Sequence, residues 1–250
     1  MTDIVIIPCL TDNYAYLVKT GDACAIIDPS EPGPVKAALA ARGWRPTHIL
    51  NTHHHLDHTG GNLALREEFG AEIVGPAKDA ARIPGLTIGV EESTGWFFAG
   101  DAVQVLEVPG HTRGAITFVI AGNAFTGDTL FTLGCGRTFE GDAQTMWASL
   151  SKLARLPGDT KIWCGHEYTQ GNGRFALTLE PGNAALAARM ADVNAARARG
   201  EPTIPSTMAL EMQTNPFLRP GAKEIRKALG MEDASDAAVF GEIRKRKDNF

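Results

Sequence analysis

The sequence has little of what marks a membrane or secreted protein. No apolar run approaches the roughly twenty residues that a membrane-spanning helix needs. The apolar run at residues 4–7 is too short, and with Asp3 before it wrongly flanked, for a secretory signal. We therefore expect a cytoplasmic protein with no membrane partner.

Cysteine is also scarce. The 250 residues include 4 cysteines, and none of them are spaced as Cys-x-x-Cys, which disfavours a zinc ribbon or a thioredoxin-like redox pair. They are interpreted as free thiols in a reducing compartment. Cys164 precedes His166 by two residues, so it could lie near a metal, but we do not predict that it is a ligand.

Positive charge does not predominate, because the net charge is -5. A nucleic-acid partner would require a positive face, so none is expected. The sequence also lacks the Gly-x-Ser-x-Gly elbow of a serine hydrolase. The glycine-rich stretch at 134–136 is only a weak phosphate-binding signal, since no Walker lysine pattern follows it.

The pattern of short apolar runs predicts a chain rich in strands up to about residue 168 and helical beyond it. Two strand-rich halves, each with helices, indicate two packed sheets with helices outside. A helix with Asn183 as its N-cap is expected in the second part. Strands are predicted at 3–8, 14–19, 23–28, 48–51, 72–75, 103–108, 115–120, 123–126 and 161–164, and helices at 34–42, 61–69, 143–155 and 183–199.

The segment 52–58, Thr-His-His-His-Leu-Asp-His, is the strongest chemical signal. In an extended chain, alternation places His53 and His55 on one side and His54 on the other. With Asp57 and His58 they form a set of nitrogen and oxygen donors suited to zinc, iron or manganese. The alternative, a solvated polar loop with fortuitous histidines, is much less consistent with this spacing.

Three later positions can complete a metal site. His111, Asp128 and His166 each follow a predicted strand and stand beside a glycine that allows a sharp turn. Each by itself could be an ordinary turn residue, and their joint occurrence after the histidine segment supports them. The remaining histidines, His48 and His54, are interpreted as packing or supporting residues, His48 as structural.

The seven candidate metal donors resemble the ligand set of the metallo-β-lactamase superfamily. They are His53, His55, Asp57, His58, His111, Asp128 and His166. The resemblance implies an α/β fold, a four-layer αββα sandwich over residues 1–168, followed by a C-terminal helical domain at 169–250. It implies two divalent metal ions, zinc first, with iron or manganese as alternatives. By this resemblance the first ion is bound by His53, His55 and His111, the second by Asp57, His58 and His166, and Asp128 bridges both.

Further motifs resemble the glyoxalase II family, the hydroxyacylglutathione hydrolases. The matching stretches span nearly the whole chain. They lie at 11–16, 52–62, 134–137, 165–169, 180–183, 215–217 and 244–248. The resemblance implies hydrolysis of S-D-lactoylglutathione and related 2-hydroxyacyl thioesters, the second step of methylglyoxal detoxification. Asp57 and Asp128 are then the expected catalytic carboxylates.

The C-terminal segment gives a separate argument. Arg244 and Lys247 are three residues apart, so a helix would present both cations on one face. Such a pair suits the glycine carboxylate of glutathione, although a solvated basic terminus is the simpler interpretation without the family resemblance. The resemblance implies that glutathione is held by Arg137, Phe139, Tyr168, Arg244 and Lys247. Arg137 replaces a lysine and Phe139 a tyrosine found in many relatives.

Other readings remain open at this point. Another enzyme of the superfamily, such as a lactonase, a persulfide dioxygenase or a nuclease, would share the metal motif. A non-catalytic metal-binding or regulatory protein is a different class, disfavoured by the complete set of ligands. We expect a small-molecule glutathione thioester as the only partner and a monomeric protein.

Overall fold

The computed structural model describes residues 2–250, which form two compact units. The first unit extends to Glu107 and includes Thr112–Gly127, and the second contains Val108–His111 and Asp128–Phe250. The predicted boundary near residue 168 stays a prediction. No helix among residues 2–250 is long and apolar enough to cross a membrane.

The first unit contains a six-stranded sheet whose strands follow one another in chain order. The first three strands are antiparallel and the rest run parallel. Parallel neighbours need crossover connections, and helices supply them. The strands are β1 (Thr2–Cys9), β2 (Asn13–Thr20), β3 (Ala23–Ile27), β4 (His48–Leu50), β5 (Glu72–Pro76) and β6 (Ile88–Val90); the crossovers hold α1 (Pro32–Arg42), α2 (Leu56–Thr59), α3 (Asn62–Phe69) and a 3-10 helix at Ala77–Arg82.

One face of this sheet is covered by α1 and α3. Val35 and Leu39 of α1 and Leu65 of α3 are buried with strand residues such as Ile26 and Ile49 in one apolar cluster. Burial of such side chains contributes about 1.5–3 kcal/mol each. The core therefore fixes the ends of β3 and β4, from which the histidine segment continues.

A second, antiparallel set of strands belongs to the same unit. These are β7 (Trp96–Phe98), β8 (Asp101–Glu107), β9 (Ile116–Ile120) and β10 (Asn123–Gly127). Aromatic contacts join the two sheets: Tyr16 lies 5.5 Å from Phe125 between ring centroids, and His48 lies 5.4 Å from Trp96. The two sheets are thus packed face to face, and His48 is a structural residue as expected.

The second unit is mainly helical. Its helices are α4 (Ala143–Leu153), α5 (Thr169–Leu179), α6 (Ala184–Ala198), α7 (Met208–Thr214), α8 (Lys223–Leu229) and α9 (Asp236–Asp248), with a 3-10 helix at Pro216–Leu218. Its strands are β11 (Leu130–Phe131), β12 (Gly134–Cys135), β13 (Lys161–Cys164) and β14 (Ser206–Thr207). Asn183 caps α6 as predicted, since its Oδ1 accepts from the Leu186 N–H at 3.0 Å.

Most of the predicted elements are confirmed to within a few residues, but the expectation that strands end after residue 168 is wrong. Ser206 and Thr207 pair with Ile162 and Lys161 as β14. A two-residue strand contains too few residues for an alternating pattern, so the sequence gives no signal for it.

Candidate metal centre

The histidine segment begins where β4 ends. The Nε2 atom of His53 lies 3.2 Å from Nδ1 of His55, so these two side chains meet on one side of the segment as predicted. The side chain of His54 has a different partner, because its Nδ1 is 3.1 Å from Oδ2 of the buried Asp79. The ring of His54 still lies 4.8 Å from that of His55, but this nitrogen is directed to Asp79 rather than to the other histidines.

Asp28, the residue after β3, supports the histidine segment through hydrogen bonds. Its Oδ1 accepts the Thr52 N–H at 2.7 Å and its Oδ2 accepts the Thr52 hydroxyl at 2.6 Å. The same Oδ2 lies 3.0 Å from Nδ1 of His58. A carboxylate on Nδ1 holds the ring so that Nε2 is the nitrogen offered to an ion. The sequence reasoning did not identify this residue.

The backbone of Asp28 is in the left-handed region, with φ 47°. Few residue types adopt this conformation, and aspartate and asparagine do so more readily than most. The Asp-Pro pair that ends β3 was visible in the sequence, but the contact with His58, 30 positions later, was not. This conformation is maintained by the hydrogen bonds to Thr52.

Asp57 and His58 lie on the short helix α2. His58 Nε2 is 3.7 Å from Asp57 Oδ2, and Asn13 Nδ2 donates to the same carboxylate oxygen at 3.1 Å. Asn13 also donates to the Asp57 carbonyl at 3.1 Å. The motif at 11–16 therefore contributes a residue that orients Asp57.

Two glycines allow α2 to approach its neighbours closely. A Cβ at Gly60 would lie 2.4 Å from the Ser30 carbonyl oxygen, and one at Gly61 would lie 3.0 Å from Pro29. No side chain fits at position 60 without a backbone shift. These contacts fix where the chain turns after the last histidine of the segment.

The second unit contains the other three predicted ligands. Asp128 Oδ2 lies 3.5 Å from Nε2 of His111 and 3.2 Å from Nε2 of His166. All three side chains are buried. One carboxylate oxygen therefore faces two imidazole nitrogens.

The segment at 135–137 orients His111. Nδ1 of His111 donates to the carbonyl oxygen of Arg137 at 2.9 Å, which leaves Nε2 as the ligand nitrogen. Gly136 packs against the backbone of Asp128, where a Cβ would lie 1.9 Å from the carbonyl oxygen. This segment thus touches two of the candidate ligands.

The donor spacing within each unit fits a bound ion. Two ligands on a tetrahedral zinc with bonds of about 2.0–2.1 Å lie roughly 3.4 Å apart. The observed separations of 3.2, 3.7, 3.5 and 3.2 Å fall around this value. Imidazole and carboxylate donors suit zinc, iron and manganese.

The cysteines are not part of this chemistry. All four are buried and free of disulfides. Burial raises the pKa of the Cys164 thiol to about 12, and its Sγ donates to the His166 carbonyl at 3.5 Å. Among the described residues, the groups of donor atoms that lie within 4.8 Å of one another and could hold an ion contain no cysteine.

A group of cations lies at the end of α9. Arg244 is buried and donates through Nη1 to the Cys135 carbonyl at 2.8 Å, with its guanidinium 5.0 Å from the Phe217 ring centre. Lys247 lies over Phe175 at 5.8 Å, and burial together with the nearby arginines lowers its pKa. A cation with a lowered pKa gains from an added anion.

The two predicted aromatic contacts are at the surface of the second unit. Tyr168 is 40% exposed and stacks on His166 at 4.7 Å, while Phe139 is 61% exposed with its ring 5.2 Å from His111. Each is therefore beside a candidate ligand and accessible to a small molecule.

Comparison with known proteins gives the family. The metallo-β-lactamase superfamily matches residues 10–166, and the hydroxyacylglutathione hydrolase C-terminus matches residues 167–250. Hydroxyacylglutathione hydrolase from Methylococcus capsulatus is 50% identical over 100% of this chain and 99% of its own length. That from Cereibacter sphaeroides is 53% identical over 99% of each.

The chain belongs to the hydroxyacylglutathione hydrolase family. The fold agrees with this, since ETHE1 from Myxococcus xanthus has a TM-score of 0.69, with 98% of this chain and 90% of that one covered at 24% identity. A protein solved in a di-iron-bound form has a TM-score of 0.61 at 28% identity, over 86% of this chain and 98% of its own. The predicted fold, a metallo-β-lactamase sandwich followed by C-terminal helices, is confirmed.

Proposed function

We propose that this protein hydrolyses S-D-lactoylglutathione and related 2-hydroxyacyl glutathione thioesters to glutathione and the hydroxy acid. The observation that carries the proposal is the similarity to hydroxyacylglutathione hydrolases over the full chain, including the C-terminal segment. The protein is a thioester hydrolase acting on a small molecule. This reaction is the second step of methylglyoxal detoxification.

The metal centre would hold two divalent ions, and the proposed ligands are the seven residues predicted from the sequence. Zinc is proposed in both positions, with iron or manganese as alternatives for the same donors. His53, His55 and His111 would hold the first ion, Asp57, His58 and His166 would hold the second, and Asp128 would serve both.

The ions supply a water of lowered pKa and Lewis acidity at the thioester carbonyl. The neighbouring side chains and backbone groups hold and orient the ligands of the ions. Asn13 fixes the Asp57 carboxylate, and this carboxylate would orient the attacking water. Asp28 and the Arg137 carbonyl fix the tautomers of His58 and His111.

The leaving group explains why no separate general acid is proposed. A thiol of glutathione has a pKa near 8.5, so it departs as a thiolate near neutral pH without prior protonation. The proposed catalytic carboxylates are Asp57 and Asp128. Because the sulfur leaves as a thiolate, neither has to donate a proton to it.

The helical domain at 169–250 is proposed to bind the glutathione portion of the substrate. Its cations Arg244 and Lys247, together with Arg137, suit the carboxylates of glutathione. Tyr168 and Phe139 contact the remainder of the tripeptide, Phe139 through its main chain. The protein is proposed to be monomeric and cytoplasmic, with neither nucleic-acid nor membrane partners.

Metal analysis paired with a hydrolysis assay tests the function. The metal-replete protein should contain two ions per chain and consume lactoylglutathione, followed at the thioester absorbance. Asp128→Ala should lose both bound metal and activity, whereas Asp159→Ala, at an exposed position, should lose neither. Metal-replete protein that leaves lactoylglutathione intact would contradict the proposed function.

A further inference from the structure

Asp248 lies among the cations at the end of α9 and makes close contacts with one of them. Its Oδ1 accepts from Nε of Arg244 at 3.1 Å and lies 2.9 Å from Nη2 of the same side chain. Arg137 Nε is 3.7 Å from that oxygen. The carboxylate is 40% exposed, so solvent reaches it.

The position of Asp248 is electrostatically unusual. It is the last residue of α9, where the partial negative charge of the helix end disfavours an acidic side chain. The surrounding cations compensate for this. Burial lowers the pKa of Lys247 most, Arg244, Arg174 and Arg137 lower it further, and Asp248 opposes them. This carboxylate is therefore a counter-ion within a cationic group.

The contacts of Arg244 show which of its N–H groups Asp248 occupies. A guanidinium binds a carboxylate through a planar fork of two N–H groups on one edge. The edge formed by Nε and Nη2 is directed at Asp248, and Nη1 donates to the Cys135 carbonyl. The fork that would receive a substrate carboxylate is thus already occupied by one of the chain's own.

We propose that Asp248 is an internal competitor that occupies Arg244 in the free protein and must share it with, or yield it to, the carboxylate of the glutathione moiety. This inference rests on the proposed function. Asp248 then determines affinity and takes no part in the chemistry. It lowers affinity for substrate and for released glutathione alike, because both carry the same carboxylates.

The competition has a consequence for turnover. A group of four cations without a counter-ion would retain the anionic product. A carboxylate that returns to Arg244 when glutathione leaves favours release. Asp248 is therefore expected to raise KM and the inhibition constant of glutathione by the same factor.

Asp248→Asn tests the proposal, since the amide keeps an acceptor oxygen for Arg244 and removes the charge. S-methylglutathione, a thioether that cannot be hydrolysed, is titrated into the metal-replete protein by calorimetry. Removal of one charge a few Å from the ligand should tighten binding about fivefold. KM and the inhibition constant of glutathione should fall by a similar factor.

Glu242→Gln is the matched control. Glu242 is on the same helix, where it pairs with Arg246 at 2.9 Å. Its substitution should change none of these constants. Comparison of the two variants separates a local effect on Arg244 from a change in the overall charge of the protein.

Unchanged or weaker binding by a normally folded Asp248→Asn variant would overturn the proposal. If that variant melts at a lower temperature, Asp248→Ser is measured in the same way and decides the question. Wild-type protein that neither hydrolyses lactoylglutathione nor binds S-methylglutathione would instead remove the proposed function, and the inference with it. If the wild type hydrolyses lactoylglutathione but neither Asp248 variant binds S-methylglutathione more tightly, the inference about Asp248 is wrong and the proposed function stands.

Discussion

At the residue scale, the candidate metal centre depends on groups that do not bind metal themselves. Asp28, Asn13 and the Arg137 carbonyl each hold a candidate ligand through a hydrogen bond. Outer partners of this kind set the tautomer and orientation of the ligand. Their loss should therefore weaken metal binding without removing a donor.

Asp28→Asn is the most direct test at this scale. Asparagine tolerates the left-handed backbone at this position. It cannot offer the negative charge that favours a proton on Nδ1 of His58. We expect affinity for the second ion to fall about 10–100-fold, measured by competition with a chromophoric chelator. Asp22→Ala, in an exposed turn, serves as the control and should bind metal normally.

Sequence reasoning at this scale was successful for groups that form a motif and failed for their distant partners. The pairing of His53 with His55 followed from alternation. The contact of His54 with Asp79 spans 25 positions and depends on how a 3-10 helix is placed. No local pattern records such a contact.

At the scale of elements, the segment at 135–137 connects the second unit's cations with its candidate ligands. Cys135 accepts from Arg244, Arg137 accepts from His111, and Gly136 lies against Asp128. A displacement of this segment should thus disturb both anion binding and metal binding.

Gly136→Ala should cause such a displacement. The added methyl would lie 1.9 Å from the Asp128 carbonyl oxygen, so the backbone must move. We expect a loss of about 1–3 kcal/mol of stability in urea unfolding, together with reduced metal content. Gly171→Ala, in α5, where an added methyl would meet only the end of the Arg174 side chain at 3.8 Å, should instead gain about 0.4–1 kcal/mol and retain its metal. Equal behaviour of the two variants would contradict the role given to Gly136.

Arg244→Ala tests the cations at the end of α9. We expect KM for lactoylglutathione to rise by about tenfold or more, because a charge-assisted bond contributes about 1.5–3 kcal/mol. Bound metal should remain at two ions per chain. Arg246→Ala removes a cation of the same helix that pairs with Glu242, and it should leave KM unchanged. Unaltered kinetics of Arg244→Ala would show that the tail does not bind substrate.

The elements themselves were predictable where apolar runs were long. The strands from β1 to β5 and the helices α1, α3, α4 and α6 follow the predicted ranges closely. The elements β11, β12 and β14 have two residues each, and α2 has four. Tertiary contacts, rather than local periodicity, determine whether such short elements form.

At the scale of the whole molecule, bound ions should contribute to stability, since metals that bind only the folded chain shift the equilibrium toward it. An ion at about a thousand times its dissociation constant adds roughly 4 kcal/mol. For a chain of this length that corresponds to roughly 8–16 °C in melting temperature.

Removal of both ions with a chelator should therefore lower the melting temperature by about twice this amount and abolish hydrolysis. Calorimetric melting before and after dialysis measures the change. Zinc, iron or manganese should restore both properties, whereas magnesium should not, because imidazole donors do not suit it. Full activity of the metal-free protein would contradict a metal-dependent reaction.

The arrangement around Cys135 and Arg137 also bears on how this chain can be engineered. The carbonyl groups of these two residues, two positions apart, accept hydrogen bonds from Arg244 of α9 and from His111. An exchange of the whole of α9 for the corresponding helix of a relative, intended to alter which thioester is accepted, would replace every contact of that helix, and a resulting shift of the segment at 135–137 would move the carbonyl that accepts from His111. Such chimaeras should be screened for bound metal before any difference in substrate preference is interpreted.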